Sequence, residues 1–352
     1  MFKYRVLMTS VSGMFGPKNI ELMKNSIKDK VWVLGVDIHY SLAADMCADK
    51  FKKVMPGSDI NYINEIIKLI KLYNINFVLP CSDEEALNLS INRKKIESTG
   101  ATLATVHKNF INIMSNKILT YELMEKFNIS VPSYKVASSI KDLDAFSKDF
   151  YKKYESFVIK QPIARGNRGT IIVDKLIKGK LEYMDSRELH VGWNFYKKEI
   201  LPNFTYNFPI LITEKLYKPA YDIDILAKKG KIIHVIPRER INPAGVPYKG
   251  NILRNNIKLI ELAEKVAKIM NLSWLYDLDI MTNKDGDPTV LEINPRPSGS
   301  SIASIECGIP LYRDLLQLNE KKKFNKVQLP PEGTIIYPSF TCNIIYPKNN
   351  KN

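Results

Sequence analysis

Four short apolar runs, at residues 4–11 (YRVLMTSV), 31–36 (VWVLGV), 76–80 (NFVLP) and 101–105 (ATLAT), recur through the first 108 residues with helical stretches between them. That alternation is the strongest constraint on the fold. Strands separated by helices pair in parallel through crossovers, so this region reads as an open α/β sheet whose ligands sit beyond the strand C-terminal ends. One intervening stretch, residues 60–73, places Ile63, Ile66, Ile67 and Ile70 on one helical face. The segment DEEALNLSINRKKIES reads as a single further helix. A helix over 116–127, then Pro132, marks a change of unit within residues 108–131.

Beyond that boundary the pattern shifts toward hairpins. Strands are expected at 157–162, 170–173 and 209–216, followed by YDIDILAKKG and KIIHVIPRER turning at Lys229-Gly230. A helix at 254–270 precedes WLYDLDIMT and TVLEINP, joined by the turn NKDGDP. Hydrophobic residues at 45% and charged residues at 25% exclude disorder, and no run of about 18 apolar residues offers a membrane span. The first residues, MFKYRVLMTSVSGMFG, reach polar Thr9 and Ser10 too early for a secretory core, so a cytoplasmic protein without a membrane partner is expected.

Cys47, Cys81, Cys307 and Cys342 form no C-x-x-C pair, which argues against zinc or a disulfide framework. The 52 Lys and Arg against 37 Asp and Glu give +15, a balance that draws attention to polyanions. The excess is spread along the chain, however. The longest basic run, Lys321-Lys322-Lys323, reads as a solvated helix end beside Glu320, so no nucleic-acid partner is expected.

Two constellations carry chemistry. Lys160, in the strand FVIKQP, precedes the turn Arg165-Gly166-Asn167-Arg168-Gly169, whose amides and arginines suit a polyphosphate; the alternative is an ordinary glycine hairpin. It is not a Walker A loop, which needs G-x-x-x-x-G-K-[ST]. Asp279 on one strand, and Glu292 and Asn294 on the next, become hairpin partners through the turn at 283–288. Glu292 and Asn294 share a strand face, and all three lie among apolar residues, where buried carboxylates need a cation or donor partners; the set suits Mg²⁺. Arg296 points the same way, and Arg238 and Arg240 end a strand expected to face this set. His39, His107, His190 and His234 show no triad, Ser82 lacks the G-x-S-x-G elbow, and Gly13 with Gly16 falls short of G-x-G-x-x-G.

In order and spacing these residues resemble the ATP-grasp superfamily, and within it the carbamoyl-phosphate-synthase-like carboxylate–amine ligases. The likeness spans most of the chain, with VLMTSVSGMFG, FVLPCSDEEAL, NKILTYELMEKFNISVP, FVIKQP, ILITEKL and EINPR as its phrases. It implies an α/β chain: a Rossmann-like pre-ATP-grasp domain at 1–108, a linker and small lobe at 109–215 with a mobile glycine-rich loop, and a large lobe at 216–352. Lys117, Lys160 and the loop Arg165, Gly166, Asn167, Arg168 and Gly169 would hold phosphates. Glu214, Lys215 and Leu216 would read adenine. The family often has a ribose-binding glutamate where this chain has Ala220, leaving Asp222 as its stand-in. Asp279, Glu292 and Asn294 would bind Mg²⁺ or Mn²⁺.

The implied reaction is attack of a carboxylate on the γ-phosphate of ATP, then displacement of phosphate from the acyl phosphate by an amine. Arg238 and Arg296 would offset the transferring charge, and Arg296, Ser298, Gly299 and Ser300 would hold the substrate carboxylate. Partners are then a small-molecule carboxylate and amine, with a homodimer as the assembly to test. The rival reading keeps the fold and makes the chain a small-molecule kinase or a non-catalytic nucleotide-binding subunit.

Overall fold

The computed structural model describes residues 2–163, 169–182, 188–242, 249–320, 322–325 and 327–339. The N-terminal sheet joins β1 (Tyr4–Thr9), β2 (Val31–Asp37), β3 (Lys50–Lys53), β4 (Phe77–Leu79) and β5 (Thr102–Leu103), all parallel, in the order β3-β2-β1-β4-β5. The crossovers are α1 (Gly16–Asn25), α2 (Leu42–Cys47), α3 (Tyr62–Leu72) and the pair α4 (Asp83–Ile91) and α5 (Arg93–Glu97). In α3, Ile63, Ile66 and Ile70 are buried, as the 3.6-residue period requires. Serine starts α4: Ser82 Oγ accepts from the Glu85 amide, and Glu85 Oε2 accepts from Ser82 Oγ in return.

Two helices, α6 (Lys108–Ser115) and α7 (Lys117–Lys126), lead to a second sheet. Its strands are β6 (Tyr134–Ala137), β7 (Ser156–Lys160), β8 (Ile171–Asp174), β9 (Lys180–Glu182), β10 (Leu189–Val191) and β11 (Ile210–Glu214), ordered β6-β11-β7-β8-β10-β9. Helix α8 (Ile140–Tyr154) packs on it, capped by Ser139 and closed by Glu155 at φ 59°; α9 (Trp193–Phe195) runs into a π-helical turn over Tyr196–Ile200. Phe150, Ile159, Tyr196 and Ile210 give this sheet a core of its own.

The third sheet is antiparallel throughout: β12 (Tyr217–Lys228), β13 (Lys231–Arg240), β14 (Asn251–Leu253), β15 (Trp274–Thr282), β16 (Pro288–Asn294) and β17 (Ile335–Ile336), ordered β16-β15-β12-β13-β14-β17. Lys229 (φ 49°) and Gly230 (φ 73°) make the tight β12–β13 turn read in the sequence. Helices α10 (Ile257–Ile269), α11 (Ser301–Glu306) and α12 (Leu311–Leu316) complete this region. One continuous core runs from Met8, Leu79 and Met114 into Ile223, Leu278, Ile293 and Leu315, so the first and third sheets are packed as one body.

The secondary structure departs from the sequence reading in places with local causes. The stretch read as one helix after Ser82 breaks at Asn92 (φ −94°, ψ 16°) into α4 and α5. Asn256 caps the Lys258 amide, which moves the start of α10 to Ile257 from the expected 254. Elements α2, β3, α6, β6 and α8 were not read from the sequence at all, although Ser139 followed by Asp142 signals the α8 start.

Candidate functional site

Strand register builds the site. Asp222 of β12 pairs with Asp279 of β15, which pairs with Glu292 of β16; one row over, Asp224 pairs with Asp277, which pairs with Asn294. Because alternate residues share a sheet face, all six side chains rise from the same side. Ligand oxygens of Asp222, Asp277 and Asp279 lie within 4.8 Å of one another, and all three residues are buried. Arg240 enters from β13, its Nε donating to Asp222 Oδ1 at 2.5 Å and its Nη2 to Asp279 Oδ1 at 2.6 Å. Lys117, the first residue of α7, sets its Nζ 2.7 Å from Glu292 Oε2.

Charge is crowded here beyond what these cations neutralise. Burial, then the Asp222 charge, pushes Asp277 up to about 7, and burial pushes Asp279 well above the ordinary carboxylate range in spite of Arg240. Burial also opposes ionisation of Asp222 and Glu292. Arg240 and Arg238 nevertheless hold Asp222 below its usual range, and Lys117 brings Glu292 down to about 2. Asp277 Oδ1 is buried with no hydrogen-bond partner, while its Oδ2 accepts from Asn294 Nδ2 at 3.1 Å and faces Arg296 Nη1 at 3.2 Å. An orphaned buried oxygen beside two more carboxylates is a donor set that fits a hard divalent cation. Across from it, Lys160 at the end of β7 donates to Tyr121 Oη at 3.0 Å; burial, then Lys117, pulls its ammonium down to about 7.

The residues singled out from sequence separate into groups. Asp279, Glu292, Asn294, Lys117, Lys160 and Arg296 converge on this face. Arg296 also reaches Asp83 at the start of α4, at 3.2 Å, and so ties the first sheet to the third. Glu214 Oε1 accepts from the Ser133 amide at 2.8 Å, Lys215 pairs with Asp174, and Leu216 is buried. Gly169 has φ 73°, whereas Arg165, Gly166, Asn167 and Arg168 lie outside the described residues. Asp222 sits within the carboxylate cluster, because its register partner is Asp279; that position separates it from the ribose role suggested for it.

Arg238 requires a correction. It has no exposed surface; Nη1 donates to the Ser300 carbonyl at 2.8 Å and to Ser300 Oγ at 2.6 Å, and Nη2 to Asp224 Oδ1 at 3.0 Å. A side chain so enclosed positions its neighbours and cannot touch a substrate, and Arg240 takes the place facing the acids. Ser298 and Ser300 are also buried, their hydroxyls 3.0 Å apart, with Ser300 Oγ donating to Asp222 Oδ2 at 3.3 Å; Gly299 is exposed. Sequence reasoning passed over Asp277 and Tyr121. Asp277 was legible, since D-x-D puts it on the face of Asp279; Tyr121 carries no such signal.

Comparison with known proteins agrees with this architecture. Residues 207–336 match the family model described as ATP-grasp in the biosynthetic pathway with Ter operon. N5-carboxyaminoimidazole ribonucleotide synthetase of Thermotoga maritima is similar at a TM-score of 0.61 and 15% identity, covering 93% of this chain and 78% of that one. The L-amino acid ligase of Bacillus licheniformis gives 0.64 at 12%, covering 91% and 75%. The biotin carboxylase domain of Hydrogenobacter thermophilus 2-oxoglutarate carboxylase, in complex with MgADP and bicarbonate, gives 0.64 at 14%, covering 93% and 72%. A curated relative, methionine–tRNA ligase of Wigglesworthia glossinidia brevipalpis, is 23% identical over 165 residues, which is 47% of this chain and only 28% of that protein. The parallel sheet and the two sheets that follow it share the fold of these solved structures, and the family match over residues 207–336 is to an ATP-grasp model.

Proposed function

We propose that this chain is an ATP-dependent ligase that activates a carboxylate as an acyl phosphate and passes it to an amine, releasing ADP and phosphate. The observation that carries the reading is the acid face of the third sheet, Asp222, Asp277, Asp279 and Glu292, set against Lys117 and Lys160. The fold neighbours support it, since their names describe ligases, synthetases and a carboxylase, one of them holding MgADP. Residues 1–108, 109–215 and 216–352 are the working units in this reading.

Asp279, Glu292 and Asn294, joined by Asp277, would hold Mg²⁺ or Mn²⁺, which when bound supplies positive charge to the phosphate oxygens of ATP. The chain's own groups do the rest. Lys117 and Lys160 exchange their present partners for the phosphates, and Glu214 with the backbone at Lys215 and Leu216 reads the adenine edge. Arg296, fixed between Asp83 and Asp277, would hold the substrate carboxylate for attack on the γ-phosphate. No covalent enzyme intermediate is needed. Among the described residues no helix is long and apolar enough to cross a membrane, and a cytoplasmic enzyme with small-molecule partners fits the need for ATP.

The test is a screen of amino acids and small carboxylates for ATP-dependent phosphate release, repeated with hydroxylamine in place of the amine. Trapping of a hydroxamate supports the ligase. Release of a stable phosphorylated product, with neither hydroxamate nor amide from any accepted substrate, would make the chain a kinase instead.

A further inference from the structure

In the order β3-β2-β1-β4-β5 the chain reverses its direction of progress between β1 and β4, and open α/β sheets form their ligand crevice at that point. Here the crevice holds a cavity of about 280 Å³, roofed by residues 297–299 and by Tyr312. It shares a wall with the acid face. Ser298 lines the cavity, its hydroxyl meets Ser300 Oγ at 3.0 Å, and Ser300 Oγ reaches Asp222 Oδ2 at 3.3 Å.

The lining is chemically one-sided. Met8, Val11, Met14, Phe15 and Tyr312 make it apolar, and no described lining side chain carries a charge. The Cys81 thiol, also in the wall, is pushed up to about 12 by burial and stays neutral. Gly16 is held to glycine, because a Cβ there would stand 1.8 Å from the Val11 carbonyl oxygen, which draws the loop close over the crevice. At the polar end, Ser10 Oγ donates to Glu85 Oε2 at 2.7 Å. With its proton committed to a buried carboxylate, the Ser10 oxygen offers lone pairs, an acceptor for an N–H group.

We infer that this cavity seats the amine substrate, and that this substrate is a primary amine bearing an uncharged aliphatic or aromatic side chain rather than a phosphorylated one. The inference rests on the ligase reading above. Phosphate recognition draws most strongly on arginine and lysine, which the cavity lacks; the amides that open α1 are the anion-binding element in its wall, which makes O-phosphoethanolamine the competing ligand to test. An apolar side chain gains by leaving water for this lining, and its amino group is placed between Ser10 and the wall that leads to the acids.

Binding of 3-methylbutylamine, phenethylamine and O-phosphoethanolamine to the full chain, with Mg²⁺ and a non-hydrolysable ATP analogue present, tests this by calorimetry. The two apolar amines are expected to bind about tenfold or more tighter than O-phosphoethanolamine. A Cβ on Gly13 meets open space, so Gly13→Leu should fold, fill the cavity and weaken the apolar amines by about tenfold or more, with nucleotide affinity unchanged. Ser10→Ala should weaken the amines but not 1-methoxy-3-methylbutane, which has no donor, and it carries the test if Gly13→Leu does not fold. Tighter binding of O-phosphoethanolamine, or apolar amine affinity untouched by both variants, would overturn the inference. Hydroxylamine is too small to need the cavity. Hydroxamate formed without apolar amine binding would therefore sink this inference alone, and amine binding without any hydroxamate would sink the ligase reading.

Discussion

Two buried polar layers lie side by side on one face of the third sheet, and they are finished to very different degrees. Around Asp224 both carboxylate oxygens are met, by Arg238 Nη2 at 3.0 Å, Ser301 Oγ at 2.6 Å and Ser304 Oγ at 2.5 Å, in a spot with no solvent exposure, and the group left over is a donor, Arg238 Nε. Beside it, Asp222, Asp277 and Asp279 crowd within 4.8 Å; Asp222 and Asp279 share Arg240, and Asp277 Oδ1 is left without a partner. A carboxylate with its oxygens met rigidifies its surroundings; a cluster of buried acids with an oxygen left open calls for a ligand to complete it. The contrast separates two arginines two residues apart on one strand, Arg238 as a strut and Arg240 as part of a site.

The largest expected effect strikes the strut. Arg238→Met strands the Asp224 carboxylate and should cost about 3–5 kcal/mol in urea unfolding, with no recovery on adding Mg²⁺ and nucleotide. Arg240→Met should lose less, and Mg²⁺ with an ATP analogue should restore part of it, because a cation bound at Asp279 and Asp277 then offsets the acid charge that the arginine neutralised. Equal losses with equal rescue would erase the distinction between the layers. Next, Glu292→Gln should leave the fold intact and lower turnover about a hundredfold or more, since a group aimed at the transferring charge is lost. Unchanged turnover would remove Glu292 from the site.

A smaller effect lies in the pH dependence of the metal-free protein. The folded state holds the Asp277 proton more tightly than the unfolded chain does. Its contribution is therefore full below about pH 4 and is lost as pH rises through about 7. Chemical denaturation across that window should show a declining stability component that Asp277→Asn abolishes; identical slopes in the two proteins would contradict it. Smaller still is a proton count. Lys160, down at about 7, is largely neutral at pH 8 and should regain its proton when phosphates arrive. Calorimetry in buffers of differing ionisation enthalpy should then report fractional proton uptake on nucleotide binding, absent in Lys160→Met.

Much of this contrast was legible in the sequence, and the reason is periodicity. Asp279, Glu292 and Asn294 stand in apolar strands joined by a short turn, so the two-residue period and the hairpin reversal are enough to bring them together. The parallel N-terminal sheet follows from alternation in the same way. What the sequence hid depends on register across strands that are distant in the chain. Nothing local says that Asp222 lands opposite Asp279, or that Arg238 meets Asp224 and Ser300 while Arg240 meets the acids. Lys117 against Glu292, 175 positions away, likewise needs the fold, whereas the missed Asp277 needed only attention to the repeated D-x-D.

The claim that the unfinished layer is a cation site for a nucleotide is tested most directly by Mn²⁺ binding, read by electron paramagnetic resonance with and without a non-hydrolysable ATP analogue. The account predicts that the wild-type chain binds Mn²⁺ with the analogue present, and that Asp279→Asn and Glu292→Gln, folded by circular dichroism, lose that binding. Mn²⁺ affinity equal in all three folded proteins would contradict it.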